Sequence, residues 1–160
     1  MNTIQQTSVT HSTFVIERSF RATPERVFAA FSDPATKRSW FAEANGKQAQ
    51  LFESDFQVGG RERTVSLLGE TTPFPGVALT NDTVFMDIVP NRRIVLAYTM
   101  SLGENRISGS LATFEFLATE TGTDLLYTEQ GAFYEGSDGP ARREDGWRKL
   151  LDSLGHHLAG

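Results

Sequence analysis

Few residues in this 160-residue sequence have the types and spacing to do chemistry. There is no cysteine, which excludes disulfides, thiolate nucleophiles and cysteine-type zinc sites. The three histidines are His11, His156 and His157. His11 is near the start. His156 and His157 are neighbours in a helical stretch and do not face one site together; they suit a helix C-terminus as part-time cations. No metal site and no cofactor is expected. A Ser-His-Asp hydrolase is not expected either, because the histidines lie at the chain ends and there is no nucleophile elbow. What remains is one carboxylate with two phenols, Glu129 with Tyr98 and Tyr127. In an alternating segment Leu125, Tyr127 and Glu129 share one face. If that face is concave, Glu129 points inward, where it is either neutralised by desolvation or paired with an arginine such as Arg61 or Arg63. Such a group can orient a ligand or do acid–base work. The plainer alternative is a structural ion pair.

Two kinds of element must hold these groups. Pro140 to Leu158 carries Trp147, Leu150, Leu151, Leu154 and Leu158 at steps of three and four, one apolar stripe of an α-helix. Arg142, Arg143, Glu144, Lys149 and Asp152 fall off that stripe and are expected to face water. A single helix cannot bury such a stripe alone. The preceding stretches read as its partner. Thr13–Arg21 is a first strand. Thr23-Pro24 and Asp33-Pro34 each start a short helix, with Thr23 and Asp33 as caps; the second is expected to run to Trp40-Phe41. Strands follow at 50–57, 61–68, 77–89, 94–102, 107–117 and 123–133. They are separated by turn signals such as Val58-Gly59-Gly60-Arg61, Pro90-Asn91 and Thr119-Glu120-Thr121-Gly122. Gly59-Gly60 lies in no GxGxxG or Walker pattern and precedes no helix, so it is read as a turn. Short turns imply antiparallel pairing, and segregated helices with an antiparallel sheet imply an α+β fold.

Composition narrows the function classes. A net charge of −5 argues against nucleic acid or an anionic membrane as partner, and Arg92-Arg93 and Arg142-Arg143 are too short to make a basic patch. Twelve phenylalanines make a bulky core or line a cavity. Met1–Ser12 is polar, with neither the basic start nor the apolar run of a leader or membrane span; a cytoplasmic location is the default expectation. Residues 1–11 are expected to be a flexible tail, and residues 12–160 a single domain.

Several blocks in fixed order carry a family resemblance. They are Phe14-Val-Ile-Glu-Arg-Ser-Phe20, Ala22-Thr-Pro-Glu-Arg-Val-Phe28, Asp33-Pro34 leading to Trp40-Phe41, and Asp55-Phe-Gln-Val-Gly-Gly-Arg-Glu62. Ser110-Leu-Ala-Thr-Phe-Glu-Phe116, Gly122-Thr123, Thr128-Glu-Gln-Gly-Ala-Phe133 and Gly146-Trp147 with Leu150, Leu151 and Leu154 complete them. Over roughly residues 12 to 158 the chain resembles the START-related, helix-grip superfamily (SRPBCC). Within it, the chain is similar to bacterial proteins named after the C-terminal domain of the activator of heat-shock-protein-90 ATPase. The resemblance implies a curved antiparallel sheet of six or seven strands wrapped on the long C-terminal helix, with two short helices after the first strand. It also implies a cavity that takes apolar molecules in many relatives. It transfers no catalytic set, since relatives include lipid carriers, polyketide cyclases and hormone binders. The chaperone link in the name gives a second expected partner, although 160 residues leave no room for the N-terminal domain of full co-chaperone activators.

The expected function is therefore binding of a small hydrophobic molecule by a monomer or homodimer. Its candidate walls are Trp40, Phe52, Phe56, Phe85, Tyr98, Phe114, Tyr127, Trp147 and Leu151, with Tyr98, Tyr127 and Glu129 to orient the ligand. Against this stands a core simply filled by the same aromatics. A chaperone-interaction module, or a cyclase- or hydrolase-like enzyme using Glu129, is the alternative.

Overall fold

The computed structural model describes residues 8–160. Among these residues seven strands form one antiparallel sheet: β1 (Thr10–Phe20), β2 (Gln48–Ser54), β3 (Arg61–Leu67), β4 (Ala78–Val89), β5 (Arg93–Leu102), β6 (Asn105–Thr119) and β7 (Gly122–Phe133). Their order is β1-β7-β6-β5-β4-β3-β2, so five consecutive hairpins run from β2 to β7 and the first strand closes onto the last. Register shifts at Ala49/Leu51, Phe85/Asp87 and Met100/Ser101 are bulges, which bend strands and increase their twist. Most of the expected tail, residues 1–11, lies outside the described residues; Thr10 and His11 already pair with Phe133 and Ala132.

Between β1 and β2 the chain makes a bracket of helices. Thr23 caps α1 (Pro24–Ser32), its hydroxyl accepting from the Arg26 amide at 3.2 Å. Asp33 caps α2 (Pro34–Lys37) in the same way. The expected second helix does not run unbroken to Phe41. After Lys37 it widens into a π-helical turn, Arg38–Ala42, followed by a tight turn at Ala44–Gly46. The bracket is tied where Trp40 Nε1 donates to the Ala30 carbonyl at 2.8 Å. The Gly59-Gly60 turn needs glycine twice over: Gly59 has φ +82°, and a Cβ on Gly60 would stand 2.0 Å from the Asp55 carbonyl oxygen.

The last helix, α3 (Pro140–Ala159), lies in the concave face of the sheet. Trp147, Leu151, Leu154 and Leu158 are buried there and Leu150 is half-buried. The Trp147 ring sits 4.4 Å from that of Tyr127, 5.8 Å from Phe114 and 5.9 Å from Phe41. Ser153 Oγ donates to the Trp40 carbonyl, and the Arg26 guanidinium to that of Leu158. One expectation fails here. Arg143 does not face water; it is 3% exposed. It precedes Trp147 by four positions, one helical turn on the same stripe, and the sheet supplies partners for its charge. No helix among the described residues is long and apolar enough to cross a membrane.

Candidate functional site

Alternation along β5, β6 and β7 turns Tyr98, Ser108, Ser110, Tyr127 and Glu129 toward α3. Glu129 is fully buried. Its Oε1 accepts from the hydroxyls of Tyr98 at 2.7 Å and Tyr127 at 2.6 Å. Its Oε2 accepts from Ser110 at 2.9 Å and from Arg143 Nη1 at 3.4 Å. Arg143 also donates to Asp138 through Nε at 2.8 Å, to Ser108 at 2.8 Å and to the Tyr98 oxygen at 3.0 Å. Trp147 Nε1 completes the set by donating to Tyr98 at 3.3 Å. Every member is satisfied, the condition under which a buried polar network rigidifies a core.

The expected counter-ion of Glu129 was Arg61 or Arg63; the structure supplies Arg143 instead. Arg61 and Arg63 lie on the convex side of β3, where Arg63 approaches Asp82 at 3.6 Å, and the inward residue between them is Glu62. Desolvation, then the negative carboxylate beside it, pushes the Tyr98 hydroxyl well above the ordinary tyrosine range. Desolvation, Tyr98 and Glu129 do the same for Tyr127. Burial alone would lower the Arg143 pKa; Tyr98, Asp138 and Glu129 outweigh it and hold the guanidinium charged. A general base needs reach to a substrate proton. Glu129 has neither exposure nor a spare approach, so the geometry makes it a fastener of α3 to the sheet.

Beside this network a cavity of about 520 Å³ separates α3 and the π-turn from the far half of the concave face. Phe31, Trp40, Phe41, Leu96, Phe114 and Trp147 provide its inner apolar wall. Leu79, Met100, Leu102, Ile107 and Leu150 continue it outward to Pro73 and the exposed Phe74. Of the ten candidate residues, Trp40, Tyr98, Phe114 and Trp147 border this space. Phe52, Phe56, Phe85, Tyr127, Glu129 and Leu151 do not. Phe56 instead packs on Phe28 at 5.6 Å and Phe85 at 5.0 Å, closing a cluster beneath α1, and Phe52 is half-buried on the edge strand β2. Tyr127 and Glu129 are covered by Trp147 and Arg143, and Leu151 is enclosed in the core. A depression of about 590 Å³ also opens on the convex face, where Glu53, Arg61, Arg63 and Asp82 stand around Val84 and Ala97.

The cavity has polar wall groups that the sequence reading passed over. Lys37 and Glu62 form a buried pair at 2.7 Å, with Ser54 donating to the other Glu62 oxygen at 2.9 Å. The Lys37 amine lies 4.9 Å from the Phe41 ring centre. Lys47 also borders the space, 5.7 Å from that ring, and burial lowers its pKa from 10.5 to about 8. Thr64 and Asn81 stand opposite each other in register on β3 and β4, and Thr64 Oγ1 and Asn81 Oδ1 are buried without a hydrogen-bond partner. The signal that marks these residues is parity: Glu62, Thr64 and Ser66 alternate inward on β3, a polar stripe on a face meant for a core. No group of three or more metal-ligating side chains occurs among the described residues.

Comparison with known proteins agrees with this architecture. A protein from Rhizobium leguminosarum is 41% identical, with a TM-score of 0.87 over 95% of this chain and 97% of that one. The Mll3558 protein from Rhizobium loti is 43% identical, with a TM-score of 0.82 over 94% and 99%. An AHSA1-like protein from Aeromonas hydrophila shares the fold at 19% identity, TM-score 0.69, over 92% of each chain. No curated protein matches the chain. The family described as Activator of Hsp90 ATPase homolog 1-like protein matches residues 21–159. With its sheet gripping a C-terminal helix, the chain belongs to the Activator of Hsp90 ATPase homolog 1-like protein family.

Proposed function

We propose that this chain is a cytoplasmic binding protein that holds a small, largely apolar molecule between α3 and the concave face of the sheet. The observation that supports it is the cavity itself. About 520 Å³, enclosed by aromatic and aliphatic side chains with a few polar groups, has the size and lining of a small-molecule site. Native mass spectrometry of the protein after incubation with a cell extract tests the reading, together with titration of phenylnaphthylamine, a neutral dye that brightens in apolar surroundings. Retention of a small molecule and saturable, one-to-one dye binding are expected. Failure to retain either overturns it.

The family match supports a second reading, docking on a chaperone ATPase. A pull-down with heat-shock protein 90 and an ATPase assay separate the two. No association and no change in rate remove the second reading.

A further inference from the structure

The charges around the cavity do not balance. Its border carries the cations Lys37, Lys47, Arg142, Arg143 and Lys149, but only the carboxylates Glu62 and Asp138. Lys37 is neutralised by Glu62 at 2.7 Å and Arg143 by Asp138 at 2.8 Å, and Lys149 reaches Asp145 at 3.3 Å. Arg142 is exposed. Among these cations Lys47 alone is both half-buried and without an ion-pair partner among the described residues.

Its position is set by the backbone. Asn45 turns the chain in the left-handed region at φ 56°, the Lys47 amide donates to the Ala44 carbonyl at 3.2 Å, and β2 begins at the next residue. The amine therefore stands over Phe41 at the end of the cavity where β2 starts. A partly desolvated cation without a counter-charge costs free energy, and an anion delivered beside it offsets that cost. The wall is not suited to a pure hydrocarbon either. Asn81, on the cavity floor, has an Oδ1 with unspent hydrogen-bonding capacity. A ligand carrying polar groups can use that capacity; an alkane cannot.

We propose that the ligand of this cavity is an organic acid, an apolar or aromatic body whose anionic group pairs with the Lys47 amine. This rests on the binding function proposed above and assigns its ligand class. Lys37 is not the anchor, because Glu62 already neutralises it.

Two dyes with nearly the same ring body test the assignment: anilinonaphthalene sulfonate, which is anionic, and phenylnaphthylamine, which is neutral. Both are titrated against the wild type, Lys47→Met, Lys47→Arg and Met100→Trp, the last placing an indole inside the cavity. Losing one charge-assisted contact corresponds to about a tenfold or greater change in affinity. Lys47→Met is expected to weaken the anionic dye by about that factor and to leave the neutral dye within about twofold. Lys47→Arg restores most of the loss, and Met100→Trp abolishes binding of both dyes. Three results overturn the proposal: equal affinity of Lys47→Met and wild type for the anionic dye, a parallel loss of both dyes, or anionic binding that survives Met100→Trp. If the neutral dye binds the wild type and the anionic dye does not, the ligand class is wrong while the cavity reading stands. If neither binds, both fall.

Discussion

Nη1 of Arg143, on the last helix, stands 3.4 Å from Oε2 of Glu129, on the last strand, and both side chains are almost wholly buried. The pair joins the two layers of the fold, and Tyr98, Tyr127 and Ser110 share its load. Removing one member of a buried pair leaves an uncompensated charge. Arg143→Leu is therefore expected to destabilise the fold by about 3–5 kcal/mol. Glu129→Gln keeps an acceptor for the tyrosines and leaves Asp138 for Arg143, so about 1–3 kcal/mol is expected. In urea unfolding the double variant should cost less than the sum of the singles. Additivity would mean the two groups do not interact.

Trp147 is 7% exposed and lies against Tyr127, Phe114 and Phe41. Trp147→Ala is expected to cost about 3–5 kcal/mol, the range for losing a buried large aromatic. A loss below about 1 kcal/mol would show that the indole contributes little to the grip.

Alkaline pH acts on two kinds of group in opposite directions. Lys47 has its pKa lowered by burial from 10.5 to about 8. Between those values the unfolded chain binds the proton more than the fold does, so stability rises with pH across that window and is lost as pH falls through about 8. Tyr98 and Tyr127 have theirs raised, by burial first and then by neighbours that include Glu129. They keep their protons in the fold where unfolded tyrosine ionises, so stability falls beyond about pH 10. Urea unfolding across this range should show a shallow rise followed by a steeper loss. Lys47→Met should remove only the rise. Two of the three tyrosines should gain tyrosinate absorbance only on unfolding.

Met100→Trp adds volume where there is space, since Met100 borders the cavity and is only partly buried. Thermal denaturation should show stability held within about 1 kcal/mol of wild type, because filling a void avoids the strain of overpacking. A loss of about 3 kcal/mol or more would show that the space closes in solution.

Much of the fold was legible in the residues. Apolar stretches between turn signals marked all seven strands, with strand ends displaced by up to three residues, as at Thr10, and Thr23-Pro24 and Asp33-Pro34 marked the starts of both short helices. Caps and alternation are local, so they survive in sequence. The π-turn at Arg38–Ala42 was not legible, because a widened turn keeps the composition of a helix. Within β7, Tyr127 and Glu129 were placed on one face by alternation, and the structure turns that face inward. The partner of Glu129 was not legible, because the choice between Arg61, Arg63 and Arg143 depends on how β3 and α3 pack, not on spacing within either. Arg143 was read as falling off the apolar stripe, although it precedes Trp147 by one helical turn and is buried. Whether an aromatic borders a void or fills a core depends on all its neighbours at once, which is why spacing alone does not separate Phe56 and Phe85, which lie away from the cavity, from Trp40 and Phe114, which border it.

The closure of β1 onto β7 has a bearing on synthesis. Thr123 Oγ1 binds the Ala22 carbonyl across 101 residues of chain, and every partner of Thr10–Phe20 lies in Gly122–Phe133. On the ribosome the opening strand emerges first and waits, unpaired, until nearly all of the polypeptide has followed it. Contacts so distant must repay a large loop-closure entropy. Pairing of the first strand with the last is therefore a late event, and a truncation before Gly122 leaves Val15 and its neighbours on an orphan edge open to other nascent chains.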